Sequence, residues 1–425
     1  RPPAATGEEV PTSAVAAVAG SAAASGGGGG CEVRVQTTLM SGERLPDVFV
    51  RPSQSILEVK RLLSTASGAP AQFQRLLFGS RALSDRETVA REQLNDGAQI
   101  LLVKVLPDPP SWLAMEDDDA MLVPFLLGCR ADLAERGSRN ESALIHAASR
   151  GFAKVCEALL CLDGNSASGG GLSAEALSVE DLDGRSALHW AAEQGLPQVC
   201  DLIAKHPSGG CCPDARDGMG ITAAHLAAFH GHVPVLEQLE GVADLTVLNE
   251  RCMLGKTPLH YAAAGGHAAI CGFLLQLECF GSANDLDLAG RTALHWAAQE
   301  GHAAVCKVLL DCPHFADKSE PDGNGCTPLH CAAASGRAAA AAVLVGHASA
   351  AVANARRAVT GETVLHCAAA QGLVEVCETL LARPDFEVTQ ACGLDGMTAL
   401  HYASLAGHAA ACRALIRGRA DPLAG

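Results

Sequence analysis

Sixteen histidines and eighteen cysteines in 425 residues are the raw material of metal sites and of cysteine–histidine catalysis, so their spacing decides whether either is present. Seven histidines (His189, His225, His260, His295, His330, His366 and His401) recur at one place in a repeated motif, and four more (His232, His267, His302 and His408) each follow a glycine. Cys211 and Cys212 with His206 come nearest to a zinc set, but no second Cys/His pair follows at ligand spacing. Cys331 and Cys367 each directly follow a motif histidine, and adjacent residues on a helix do not face one another. No motif supplies an oxyanion site. The glycine runs Gly26–Gly30 and Gly169–Gly171 lack the strand and helix of a phosphate-binding loop and read as linkers. The expectation is therefore a chain with no catalytic, cofactor-binding or metal-ligating residues. Six cysteines (Cys156, Cys200, Cys271, Cys306, Cys377 and Cys412) fall at one equivalent position, fourteen residues after the motif Ser or Thr of six of the eight repeats. Stacked helices sit about 8–10 Å apart, too far for the roughly 4.4–6.8 Å Cα separation of a disulfide. These cysteines read as small buried apolar residues, with the cytosol or nucleus as the compartment.

The element that must position these side chains is itself repeated. Ser186-Ala-Leu-His-Trp-Ala-Ala192 recurs as Thr222-Ala-Ala-His-Leu-Ala-Ala228, Thr257-Pro-Leu-His-Tyr-Ala-Ala263, Thr292-Ala-Leu-His-Trp-Ala-Ala298, Thr327-Pro-Leu-His-Cys-Ala-Ala333, Thr363-Val-Leu-His-Cys-Ala-Ala369 and Thr398-Ala-Leu-His-Tyr-Ala-Ser404. Successive copies are 35 or 36 residues apart. A divergent copy at Ser142-Ala-Leu-Ile-His-Ala-Ala148 precedes them, with Ile145 in the histidine position. Ser or Thr can cap a short first helix. The Leu and the two alanines put a narrow apolar stripe on one face, small enough for close helix packing. Gly or Gly-His ends that helix, and a second one follows, as in Val305-Cys-Lys-Val-Leu-Leu310. One such unit cannot bury both helices, so units must stack.

Residues 31–106 have another pattern. Val33, Val35, Val48 and Val50 alternate as strands, Ser55–Ser64 has helical periodicity, and Gln74-Arg-Leu-Leu-Phe78 and Ile100-Leu-Leu-Val-Lys-Val105 read as further strands. The expected order is two strands, a helix, then three strands.

The repeat resembles the ankyrin repeat, and residues 31–106 are similar to the ubiquitin family, most diagnostically at Gln74–Phe78 and Gly79…Leu83. The implied fold is an α+β ubiquitin-like (β-grasp) domain followed by an all-α ankyrin solenoid. Residues 1–30 would be a disordered tail, 107–137 a linker with an amino-terminal capping helix near Ala120–Gly128, and 138–425 about eight repeats. The units exceed the usual ankyrin length by two residues, placed in the loops, and a Ser/Gly-rich insertion at about Asp163–Glu180 parts the first two. The final strand of the ubiquitin-like domain runs into Leu106-Pro-Asp-Pro-Pro110 without a Gly-Gly terminus, so a built-in domain is implied rather than a conjugated tag. By resemblance, Lys60 and Asp85 form a structural pair. Leu77 and Val103 would lie on the face that ubiquitin-pathway receptors recognise.

Ankyrin ligands meet loop tips and the exposed end of the first helix, at −4, −3, −1, +7 and +8 from each Thr. That implies Met219, Ile221, Phe229 and His230 in the third repeat and Met253, Leu254 and Lys256 in the fourth as partner-binding residues. Other copies read as polar or small there, with Arg291, Gln299 and Glu300, or Asn324 and Ser335. The net charge of −16 is uneven: about +2 over residues 31–106 and −17 over 107–425. Such an acidic solenoid disfavours nucleic acid and anionic membranes and favours basic or apolar protein segments. A monomeric scaffold for protein partners, including ubiquitin or proteasome receptors, is expected. The alternative is the regulatory part of a larger enzyme, since the sequence opens on Arg1 and reads as a fragment or processed product.

Overall fold

The computed structural model describes residues 32–104 and 136–418, with short interruptions of which 162–176 is the longest, together with Val123. The expected tail at 1–30, the capping segment apart from Val123, most of the 163–180 insertion and Cys211 lie outside the described residues. The chain divides into two units, Arg1–Val105 and Leu106–Gly425.

In the first unit, five strands are ordered β2-β1-β5-β3-β4, where β1 is Val33–Leu39, β2 Val48–Val50, β3 Gln74–Phe78, β4 Arg81–Ala82 and β5 Ala98–Lys104. β1 and β5 are parallel and the other pairs antiparallel. Because side chains alternate across a strand, Val35, Leu76, Ile100 and Leu102 face inward against Ile56, Val59 and Leu63 of helix α1 (Ile56–Ser67). Ser55 and Glu58 close α1 at its start with reciprocal hydrogen bonds, and Gly68 ends it at φ 64°. Lys60 Nζ lies 2.6 Å from Asp85 Oδ1, tying the buried end of that lysine to the loop after Leu83. The element order and the Lys60–Asp85 pair are those expected from the sequence.

The second unit is a stack of helix pairs. In the fifth repeat these are Ala293–Glu300 and Ala303–Asp311, with Thr292 as N-cap; Ser or Thr caps the first helix of all eight repeats. Leu294, Ala297 and Ala298 are buried, as are Val305, Cys306, Leu309 and Leu310. First helices pack on first helices and second on second along the array. Part of the extra repeat length appears as short helical turns, Leu245–Asn249, Ser282–Asn284 and Ala350–Ala353. The thiols of Cys271, Cys306 and Cys377 are free, and burial pushes each up to about 12.

Candidate partner-binding surfaces

A tight hairpin precedes the first helix of each repeat from the second onward, and in the second, third, fifth and sixth it is built around one aspartate. Asp287 Oδ1 accepts from the N–H groups of Ala289 and Arg291, while Oδ2 accepts from Trp296 Nε1 at 3.1 Å. Asp217 and Asp322 bind their own loops in the same way. The tips then join across repeats through main-chain bonds: Gly218 N–H to Asp183 C=O, Met253 to Met219, Leu288 to Leu254, Gly323 to Ala289 and Leu394 to Thr360, all at 2.9–3.0 Å. A continuous ladder holds the tips in register and leaves their side chains outward.

The motif histidines lock the tips to the helices. His295 Nδ1 accepts from the Thr292 N–H at 3.1 Å, which fixes the proton on Nε2, and Nε2–H donates to Cys326 C=O of the next repeat at 3.0 Å. His189, His225, His260 and His366 repeat this forward bond. Histidines of the Gly-His pairs reach backward instead: His232 to Glu193 C=O, His267 to Phe229 C=O and His302 to Ala264 C=O. Both sets serve the frame. Among the described residues, no cluster of three or more His, Cys, Asp or Glu could hold a metal ion.

Outside this frame lie the candidate groove residues. Met219 is 54% exposed and Met253 68%, and Leu254, Phe229 and His230 are also exposed. Ile221 is half-buried, its C=O committed to His189. Lys256 is half-buried as well, its ammonium resting 3.5 Å from the centre of the Trp296 ring rather than reaching into solvent. Phe229 meets Tyr261 edge-to-face at 6.2 Å. One reading needs enlarging: the apolar tips are not confined to the third and fourth repeats. Leu182, Leu288, Val359 and Leu394 occupy the −4 tip of the second, fifth, seventh and eighth repeats, each at least 65% exposed. The sixth, with Gly323 and Asn324, interrupts the row. The signal was the −4 position itself, read in every copy rather than only where methionine stands out.

On the ubiquitin-like unit, register decides which residues share a face. Leu77 of β3 pairs with Leu101 of β5, and Arg75 pairs with Val103. Leu77 and Val103 thus lie on the outward side of the sheet, both half-buried, with Leu101 between them and Thr38 of β1 alongside. Sequence reasoning missed Leu101, which the strand alternation from Val103 would have supplied.

A family model described as ankyrin repeats (3 copies) matches in seven overlapping windows from residue 111 to residue 424. The chain belongs to the ankyrin-repeat family. Residues 33–106 match the ubiquitin family, so an ankyrin array here follows a ubiquitin-like domain. Among curated proteins, this ankyrin-repeat chain is 34% identical over 82 residues to the ubiquitin domain-containing protein DSK2 of Saccharomyces cerevisiae, covering 19% of the chain and 22% of the relative. It is 30% identical over 193 residues to calmodulin-binding transcription activator 4 of Arabidopsis thaliana, covering 39% of the chain and 18% of the relative. The chain thus spans about a fifth of each relative's length.

Proposed function

We propose that this chain is a non-catalytic adaptor that holds a protein segment along its ankyrin tips and engages ubiquitin-pathway receptors through its ubiquitin-like domain. The row of exposed apolar side chains from Leu182 through Met219, Met253 and Leu254 to Leu288 carries the reading. Such a row on a chain of net charge −16 suits an apolar anchor flanked by Lys or Arg. Thioether side chains adapt to varied partners. Leu77, Leu101 and Val103 offer the receptor-facing surface, and the likeness to a protein named for its ubiquitin domain supports the pathway. Nucleic acid and membrane are not proposed as ligands, and the adaptor acts as a monomer.

Affinity capture with the whole chain tests both arms. Phe229→Ala with Met253→Ala should weaken capture of the groove partner by about 2 kcal/mol or more while helical signal is kept. Leu77→Ala should separately weaken binding to a proteasomal ubiquitin-receptor domain. A double variant that loses helical content would place Phe229 and Met253 in the core and defeat the groove reading. Receptor binding indifferent to Leu77→Ala would remove the proposed sheet face.

A further inference from the structure

The groove already holds a cation of its own. Lys256 Nζ sits 3.5 Å from the centre of the Trp296 ring and 5.6 Å from that of Tyr261. Both distances fall within the roughly 6 Å over which an aromatic face attracts a positive charge. Phe229 braces Tyr261 edge-to-face, and Asp287 fixes the Trp296 indole through its N–H, so neither ring is free to turn away. Arg291 adds a second cation, its guanidinium carbon 5.3 Å from the Trp296 centre, but it is anchored beside Asp322 at 3.6 Å. Lys256 has no such anchor: among the described residues it makes no ion pair within 4 Å, and its charge is held by rings and by the more distant carboxylates of Asp287 and Glu300. Partial burial also works against its charged form. The ammonium is therefore well placed but weakly tethered, and half-exposed on the partner-facing side between the exposed tips of the fourth and fifth repeats.

We propose that Tyr261 and Trp296 form a cation-binding cage for a lysine, arginine or methylated lysine side chain of a basic partner segment, with Lys256 as an internal occupant that the partner's cation displaces. This rests on the groove reading and adds its chemistry. A resident lysine sets a threshold: affinity for an incoming cation is reduced by the fraction of time the cage is closed. Neutral segments cannot supply the exchange, so the device discriminates on charge where the tips discriminate on apolar shape.

Tetramethylammonium, titrated against the whole chain while the Trp296 indole N–H resonance is followed, is the probe. Replacing the competitor by Lys256→Ala should tighten its binding by about tenfold. Lys256→Gln, which keeps a polar stem, should do the same if the alanine variant folds poorly. Adding Trp296→Leu should abolish the response, then followed at Tyr261. Tert-butanol, similar in shape but uncharged, should not bind in any variant. Equal affinity in wild type and both Lys256 variants would overturn the proposal, as would equal binding of tert-butanol. If the cage fails while Phe229→Ala with Met253→Ala still loses the partner, the groove reading stands alone. If that double substitution is silent too, both fall.

Discussion

In five of the eight repeats a buried histidine joins the unit to the next, and its two nitrogens have different duties. Nδ1 caps its own helix and Nε2 reaches the following loop, so removing one imidazole breaks two bonds inside a buried interface. His295→Ala should therefore destabilise the array by about 2–3 kcal/mol, read by urea unfolding. His401 has the same sequence context, but it is exposed and, among the described residues, bonded through Nδ1 alone. His401→Ala should cost less than about 1 kcal/mol; equal losses would mean the inter-repeat bond contributes nothing. Burial also keeps these rings neutral. His225, His260 and His330 titrate near pH 4 in the folded chain against 6.5 for the free group, and His189, His295 and His366 shift the same way. As pH falls the unfolded chain takes up these protons first, so their contribution is complete above about pH 6.5 and is lost progressively down to about pH 4. Thermal midpoints measured from pH 7 to pH 4 should drop across that window. A flat profile would show that the histidines are not held neutral by the fold.

At the scale of the helix pair, glycine sets how closely repeats approach. Gly266 ends its helix at φ 82°, and a Cβ there would lie 2.6 Å from His302 Nδ1 of the next repeat. Gly266→Ala should destabilise by about 1–3 kcal/mol. Gly272 makes the opposite case: it sits within the helix Ala268–Gln276, and a Cβ there meets nothing within 4 Å. Gly272→Ala should stabilise by about 0.5–1 kcal/mol. Thermal melts of the two variants should move in opposite directions; a shared sign would undo the argument. Caps, breakers and the Leu/Ala stripe were legible in the sequence because each acts within a few residues of itself. The element order of the first unit was legible through its strand periodicity and the likeness at Gln74–Phe78, whereas the sheet order β2-β1-β5-β3-β4 came only with the structure. What escaped depends on residues a full repeat apart. Lys256 was legible only as a groove residue because Trp296, on which it rests, belongs to the next unit. Leu288 and Leu394 looked unremarkable because only the tip-to-tip ladder shows them standing in one row with Met253.

Along the array, the joint after the sixth repeat departs from the pattern although its histidine is present. His330 Nε2 finds no acceptor within 3.5 Å, and its interaction with Glu362 C=O, the acceptor position used by His189, His225, His260, His295 and His366, is stretched beyond the bonds those histidines make. The seventh hairpin closes from Arg357 N–H to Glu362 C=O, one residue longer than the Asp322–Cys326 closure, and a guanidinium stands where the fifth and sixth repeats carry Asp287 and Asp322. Arg357 Nε instead donates to Cys326 Sγ at 3.1 Å. Stability in stacked repeats is close to a sum of nearest-neighbour terms, so a weakened junction divides the array into blocks. Hydrogen exchange should show an abrupt step in protection between Pro328–Ala334 and Val364–Ala370, the last two repeats opening together. A smooth decline toward the end would mean ordinary fraying. The ladder that survives this joint is made of peptide groups alone: no side chain of Leu182, Met219, Leu254 or Leu288 takes part in it. Tip residues can therefore be exchanged by mutation while the frame that displays them is left intact, and such a surface can acquire new ligands over generations without each trial first having to survive as a folding defect.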